Sequence, residues 1–172
     1  GSQFGGLLNF ILKQPPEEDQ IAYTTENTAG SFKDFSTYHE LSGKYNKVSW
    51  LGFYQFRAGE GWRDNSDYQQ HTMYADVHVF PSKKTMIDFE FTKMNYTSQQ
   101  PGGLTDALFE QDPSQSIRDR NWFAVDWNVA AMQIEHEISS QTKIHTRFFG
   151  LHGSRDALGF LGRINRVDPM EE

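Results

Sequence analysis

The chain has 172 residues, which is long enough for one domain with a sizeable core. Its net charge of −7 argues against a nucleic-acid partner bound through a basic surface, and the absence of cysteine excludes disulfides, thiolate metal sites and cysteine nucleophiles. No apolar run approaches the length of about 20 residues that a membrane helix needs.

The opening of the chain, G-S-Q-F-G-G-L-L-N-F-I-L-K-Q-P-P, predicts a short apolar strand that ends at its two prolines, because proline cannot donate to a strand ladder. The acidic stretch 17–19 then predicts a charged, solvated linker, and a boundary is expected near residues 14–19. Alternation of apolar and polar residues predicts two strands, at 20–30 and 35–45, and Asn46-Lys47 predicts a tight turn after the second.

The same alternation predicts five more strands, at 48–57, 71–80, 85–96, 122–138 and 143–151. Short turns follow the second, fourth and sixth strands, whereas long polar connections follow the third and the fifth. The connection 97–121 contains a predicted helical turn at 104–111, and the tail 152–172 is predicted to be a loop. Long loops at one end and tight turns at the other are typical of outer-membrane barrels, whose strands cross the bilayer with about 9–11 residues.

The predicted strands have one apolar and one polar face. On the fifth, Asp88 and Glu90 share one face and Phe89 lies on the other. Two environments produce this pattern: an apolar core with water outside, or lipid outside with a wet lumen. A small soluble lipocalin-like barrel that binds an apolar ligand is therefore the alternative, and it requires a closed sheet with Val77, Phe89 and Trp127 in a dry interior.

Two segments carry a family resemblance. The opening stretch has the pattern G-S-x-x-G-G-x-x-N-x-x-x-K-x-P, at Gly1, Ser2, Gly5, Gly6, Asn9, Lys13 and Pro15. It resembles the end of the plug domain in TonB-dependent outer-membrane receptors. The loop Q-Q-P-G-G-L-T-D-A-L-F-E-Q-D-P is similar to the third extracellular loop region of the ferric-citrate-type siderophore receptors in that family.

The resemblance implies that residues 1–16 are the C-terminal end of a plug domain and that residues 17–172 are the N-terminal part of a transmembrane β-barrel. The expected fold is an all-β, antiparallel up-and-down meander of about seven strands, an open curved piece of a barrel of about 22 strands. The implied function is uptake of a ferric siderophore, such as ferric citrate, across the bacterial outer membrane. The implied partners are TonB and outer-membrane lipid, and iron enters as part of the substrate, with no cofactor.

An anionic ferric chelate needs guanidinium groups and neutral donors at the loop end of the barrel. The predicted ligand-binding residues are Arg57, Arg63, Asn65, Gln99, Gln100, Arg118 and Arg120. The alternative for the arginines is pairing with the loop carboxylates Asp64, Asp67, Asp112 or Asp119. No metal site is predicted because the six histidines show no H-x-H or H-E-x-x-H spacing, and no catalytic residue is predicted because the carboxylates have no positioned nucleophile.

Overall fold

The computed structural model describes residues 12–163 and 165–168. Its one antiparallel sheet has seven strands, and each strand pairs with the next along the chain. The strands are β1 (Gln20–Ala29), β2 (Phe35–Tyr45), β3 (Val48–Gly59), β4 (Tyr68–Ser82), β5 (Thr85–Gln99), β6 (Trp122–Ser139) and β7 (Thr142–Leu158). A short helix, α1 (Asp106–Gln111), lies between β5 and β6. The predicted meander is therefore confirmed.

Several strands extend further toward the long loops than the sequence predicts. The prediction that 152–158 is a loop is wrong, because β7 continues to Leu158. That segment lacks clean alternation, yet its backbone continues the ladder and places Leu158 opposite Trp122 of β6. Likewise, β4 begins at Tyr68 rather than at residue 71. These strand ends are set by the partner strand, which the local sequence does not reveal.

Most of the stretch predicted to be a plug end, residues 1–11, lies outside the described residues. Residues 12–16 are described, and they have no regular secondary structure. Pro15 is buried, and Lys13 Nζ lies 2.6 Å from Glu40 Oε1 on β2. This segment therefore lies against one face of the sheet. The division of the chain at residue 16 into two domains stays a prediction.

The connections alternate between the two ends of the sheet. Tight turns join β2 to β3, β4 to β5 and β6 to β7 at one end, which we call the turn end. The connections 30–34, 60–67 and 100–121 lie at the other, the loop end. Asn46 has a φ of 56° in the β2–β3 turn, a left-handed conformation that asparagine tolerates better than most residues. Within the described ranges, no helix is long and apolar enough to cross a membrane.

The most buried side chains of the sheet share one face, which we call the inner face. Leu51 and Asp76 lie opposite each other on β3 and β4, and each is 2% exposed. Tyr74 and Glu40 are also buried on this face. Residues 13 and 17 contact this face through Glu40 and Lys44. Crowding of neighbouring side chains adds to the burial, as expected on the concave side of a curved sheet.

The opposite face, which we call the outer face, exposes large apolar side chains. They include Ile21, Tyr23, Leu41, Met73, Phe89, Phe91 and Phe148. Phe89 is 46% exposed and pairs with Val77 on one side and Met132 on the other. In the described sheet β1 and β7 do not pair, so the sheet is open. The structure therefore lacks the closed, apolar-lined sheet that the lipocalin-like alternative requires.

The outer face becomes polar toward the loop end, at a level that differs between strands. On β3 the outer face is aromatic up to Phe56, whereas on β5 Phe91 is followed by Lys93. On β6 the polar Asn128 already adjoins Ala130. On β2 the outer face is already polar at His39, which lies opposite Tyr54, so the apolar band reaches furthest toward the loop end on β3.

The loop half of β6 differs from its neighbours. Trp127 lies on the inner face beside Met94, so it does not share a face with Val77 and Phe89. The outer face at this level carries Asp126 instead. The apolar face of β6 therefore changes sides along the strand, and alternation alone could not show which face lies inside.

Candidate functional site

The two long loops at the loop end pack against each other through Arg63. Its Nη1 donates to the carbonyl of Gly102 and its Nη2 to the carbonyl of Gln115, both at 2.8 Å. The backbone N–H of Asp64 also donates to the carbonyl of Ser114 at 2.8 Å. The guanidinium fork therefore fastens the β3–β4 loop to the β5–β6 loop.

Asn65 makes a second connection between the same loops. Its Nδ2 donates to the carbonyl of Arg118 and lies 3.3 Å from the carbonyl of Gln100 and 3.4 Å from that of Asn121. Its backbone has a φ of 57°, in the left-handed region that asparagine enters at low cost. Residue type and backbone conformation therefore both favour asparagine at this position.

Arg118 is buried and binds the chain that follows β7. Its Nη1 donates to the carbonyls of Ile117 at 2.9 Å and Arg166 at 2.6 Å, and its Nη2 donates to the carbonyl of Arg163 at 2.8 Å. Its guanidinium carbon lies 5.1 Å from the centroid of the Phe160 ring. This side chain therefore fastens the tail of the described chain to the β5–β6 loop.

Arg120 forms a two-pronged ion pair with Asp168. Nε donates to Oδ2 at 2.7 Å, and Nη2 lies 2.6 Å from Oδ1. The Asp168 side chain is 1% exposed, and its backbone N–H donates to the carbonyl of Ile117 at 3.2 Å. Pairing of a loop arginine with a carboxylate is therefore confirmed for Arg120, with a partner outside the four acids expected from the sequence.

Smaller contacts fix the remaining loop-end segments. The ammonium of Lys33 pairs with Glu60, which raises the pKa of Lys33. In the β5–β6 loop, the Ser114 hydroxyl and backbone N–H donate to Asp112 Oδ1 at 2.5 and 2.8 Å, and these bonds lower the pKa of Asp112. The loop end is therefore a connected structure, which we call the loop cluster (60–67, 100–121, 160–163 and 165–168).

The other predicted ligand residues lie around this cluster. Arg57 is exposed on the inner face near the loop end of β3, beside the Tyr68 hydroxyl. Gln99 lies on the outer face, and its Oε1 accepts a hydrogen bond from the backbone N–H of Asp67 at 3.3 Å. Gln100 is exposed. All seven predicted residues thus lie at the loop end, and their role in ligand binding stays a prediction.

Sequence reasoning missed Arg155, which lies on the inner face of β7 near the loop end. Its guanidinium carbon lies 5.2 Å from the centroid of the Phe123 ring, and Tyr96 packs edge-on against the same ring at 5.1 Å. Arg155 belongs to the segment predicted to be a loop, so no periodicity placed it on a face. The pairing of β7 with β6 supplies that information.

The inner face has different chemistry at its two ends. Toward the loop end, Arg57 and Arg155 flank aromatic side chains. Those on the inner face are Phe53, Tyr74, Tyr96, Phe123 and Trp127. Toward the turn end, the inner face carries the carboxylates Asp76, Asp88, Glu90 and Glu135 and the basic side chains Lys44 and Arg147, while Glu40 lies level with Phe53 in the middle of the sheet. The loop end therefore offers guanidinium groups to an anion, whereas the buried carboxylates of Glu40 and Asp76 disfavour an anion in the middle of the inner face.

No protein-family model matches the sequence, and no curated protein matches it. The structure is similar to a crystal structure of the ferric citrate transporter FecA in its unliganded form, with a TM-score of 0.78 and 22% sequence identity. The similarity covers 92% of this chain and 25% of the transporter, so the chain spans a quarter of the protein that it matches. The seven-stranded sheet is therefore similar in fold to a fragment of that transporter, which confirms the predicted fold of an open piece of a larger barrel.

Proposed function

We propose that the chain is part of an outer-membrane receptor that imports a ferric chelate, such as ferric citrate, in a TonB-dependent manner. The observation that carries the proposal is the contrast between the two faces of the sheet. A band of exposed apolar side chains covers the outer face, while the inner face carries the buried carboxylates of Glu40 and Asp76 and exposes large apolar side chains, Phe149 and Leu151, only toward its β7 edge. This is the arrangement of a membrane barrel with a polar lumen, and the opposite of a soluble barrel with an apolar core.

The candidate ligand contacts fall into two groups. Arg57 and Arg155 keep their guanidinium groups on the inner face at the loop end, where planar forks can pair with chelate carboxylates. Arg63, Asn65 and Arg118 hold the loops in place through backbone carbonyls. The first group would bind the chelate, with Gln99, Gln100 and Arg120 at the margin, and the second would shape the entrance.

Similarity to a ferric citrate transporter supports the substrate class, and the charge distribution supports the site. A trivalent iron surrounded by citrate carboxylates presents an anionic surface. The arginines and the exposed amide of Gln100 can bind that surface, whereas the carboxylates near the turn end would repel it. Iron keeps its chelator ligands in this scheme, so the protein contributes no metal ligand to the cargo.

The test is binding of ferric citrate to the detergent-purified protein, measured by the quenching of its tryptophan fluorescence. Arg57→Gln and Arg155→Gln are each expected to weaken binding by about 10-fold or more, because a hydrogen bond to a charged group is worth about 1.5–3 kcal/mol. The matched control is Arg147→Gln, an exposed arginine on the same face of β7 nearer the turns. This control should bind as the wild type does.

Two results would contradict the proposal. Recovery of the protein outside the outer-membrane fraction would exclude a receptor. Equal affinity in the wild type and in the Arg57→Gln and Arg155→Gln variants would place an anionic chelate elsewhere. Saturable binding of a ferric complex without carboxylates, with none of ferric citrate, would leave the receptor class intact and change its cargo.

A further inference from the structure

Three potential metal ligands meet on the inner face of β4 and β5. Asp76 and His78 alternate on β4 and therefore share a face, and Asp88 lies directly opposite His78 on β5. One ligand atom from each side chain can be chosen so that all three lie within 4.8 Å of one another. This separation is small enough for the three groups to share one cation.

The three side chains are largely removed from water. Their exposed fractions are 2% for Asp76, 12% for His78 and 16% for Asp88. Oδ1 of Asp76 and Oδ1 of Asp88 are buried, and neither accepts a hydrogen bond from any described residue. The Tyr74 hydroxyl reaches only the other oxygen of Asp76, at 3.4 Å. Two carboxylates buried this close together are costly unless they share a proton or a cation lies between them.

A protonated His78 does not fully compensate the negative charge of Asp76 and Asp88. Its Nε2 lies 3.2 Å from Asp76 Oδ1, without the alignment of a hydrogen bond, and 3.7 Å from Asp88 Oδ1, which is beyond hydrogen-bond range. One imidazolium also leaves one of the two carboxylate charges uncompensated. Glu90, which lies opposite Asp76, adds further negative charge beside the cluster. A divalent ion bound by a neutral imidazole balances both carboxylates.

We propose that Asp76, His78 and Asp88 bind a divalent first-row transition-metal ion of the Zn²⁺ class. One imidazole nitrogen and two carboxylate oxygens are a ligand set that Zn²⁺ accepts, with water completing a tetrahedral site. Mg²⁺ and Ca²⁺ prefer oxygen ligands only, so the histidine selects against them. The ion fastens β4 to β5 on the inner face. This site is independent of the proposed cargo, whose iron carries its own chelator.

The test is titration of the full-length, tag-free protein with ZnCl₂ after chelator treatment, measured by calorimetry. One ion per chain is expected to bind. His78→Gln and Asp88→Asn should each weaken binding by at least about 100-fold, since even groups outside the metal's own ligand set are worth about 10–100-fold. The matched control is Glu90→Gln, which removes a carboxylate from the same face of β5 and should retain the affinity.

A second measurement does not depend on the folding of variants. Co²⁺ bound to the wild type should give the visible absorption of a tetrahedral nitrogen–oxygen site, and Zn²⁺ should displace it while excess Mg²⁺ does not. The absence of stoichiometric Zn²⁺ binding would overturn the proposal. Undiminished binding in both ligand variants, or an equal loss in Glu90→Gln, would also overturn it. Displacement of Co²⁺ by Mg²⁺ would overturn the assignment to a transition metal.

Discussion

The strands and the loop cluster are stabilised by different interactions. In the sheet, each strand is paired along its length through backbone hydrogen bonds, and side chains need only suit the face on which they lie. In the loop cluster, the connections are made by particular side-chain donors on backbone carbonyls, chiefly those of Arg63, Asn65 and Arg118. The sheet therefore depends mainly on the polarity of the residues on each face, with close-packed exceptions such as Gly43 against Trp50, whereas the cluster depends on individual residues.

The prediction with the largest expected effect tests the assignment of the two faces of the sheet. Ala75 is exposed in the middle of the outer apolar band, opposite Gly52 and Phe91. Ala75→Lys should destabilise the protein folded in phospholipid vesicles, lowering its free energy of unfolding by about 2–4 kcal/mol, since a lysine facing lipid near the bilayer centre costs about that much. Urea titration of the vesicle-bound protein measures it.

The matched control is Ala131→Lys, which introduces the same side chain on the inner face. Ala131 lies opposite Glu90, so the new ammonium has a carboxylate beside it. This variant should fold with nearly the wild-type free energy. If both lysines cost the same, the outer face does not contact lipid and the assignment of the two faces is wrong.

The next effect tests the loop cluster. Arg118→Met keeps the length of the side chain but leaves the carbonyls of Arg163 and Arg166 without their donor. Local opening of the tail should become easier by about 1–3 kcal/mol, the usual result of removing one partner of a buried hydrogen bond. Native-state hydrogen exchange of residues 160–168 measures this free energy.

The exposed Arg147→Met variant serves as the comparison for this effect, because Arg147 lies on β7 outside the cluster. It should leave the exchange of the tail unchanged. Unchanged exchange in Arg118→Met would show that the tail is held by other contacts.

The different stabilisation explains what the sequence could predict. Alternation along a strand and the residues of a tight turn are local signals, so the meander and the position of Asn46 in a turn were accessible from the sequence. The extension of β7 to Leu158 was not, because a segment containing Gly153 and Arg155 becomes a strand only through its pairing with β6. The sequence also did not determine which face of the sheet is the inner face.

The roles of the loop arginines could not be predicted for a related reason. Arg118 and the carbonyl that it binds at Arg166 are 48 positions apart, and so are Arg120 and Asp168. Residue type shows that a guanidinium can bind a chelate carboxylate, a protein carboxylate or a carbonyl, but only the fold brings one of them within reach. The cluster of Asp76 and His78 with Asp88 depends on strand register in the same way.

A prediction with a smaller expected effect distinguishes two reasons for asparagine at position 65, its positive φ and its amide donor. Asn65→Gly allows the positive φ but removes the amide donor, so opening of the β3–β4 loop should become easier by about 1 kcal/mol. Hydrogen exchange of residues 60–67 measures the change. If Asn65→Gly is neutral while Asn65→Ala is destabilising, the backbone conformation alone explains the residue and the loop cluster is less dependent on donors than we infer.

The smallest effect uses pH to test a single contact of the loop cluster. Bonds from Ser114 lower the pKa of Asp112 in the folded loop, so their stabilisation is fully present above the ordinary carboxyl pKa of about 4 and is lost as the pH falls through the lower, folded value. Exchange of the Ser114 amide should therefore lose protection at acid pH beyond the change seen in neighbouring turns. Ser114→Ala removes the hydroxyl donor and should reduce this pH dependence, while the backbone bond at 2.8 Å preserves part of it. A pH profile unaltered by Ser114→Ala would show that the hydroxyl contributes nothing, and that even in this cluster a backbone donor is sufficient.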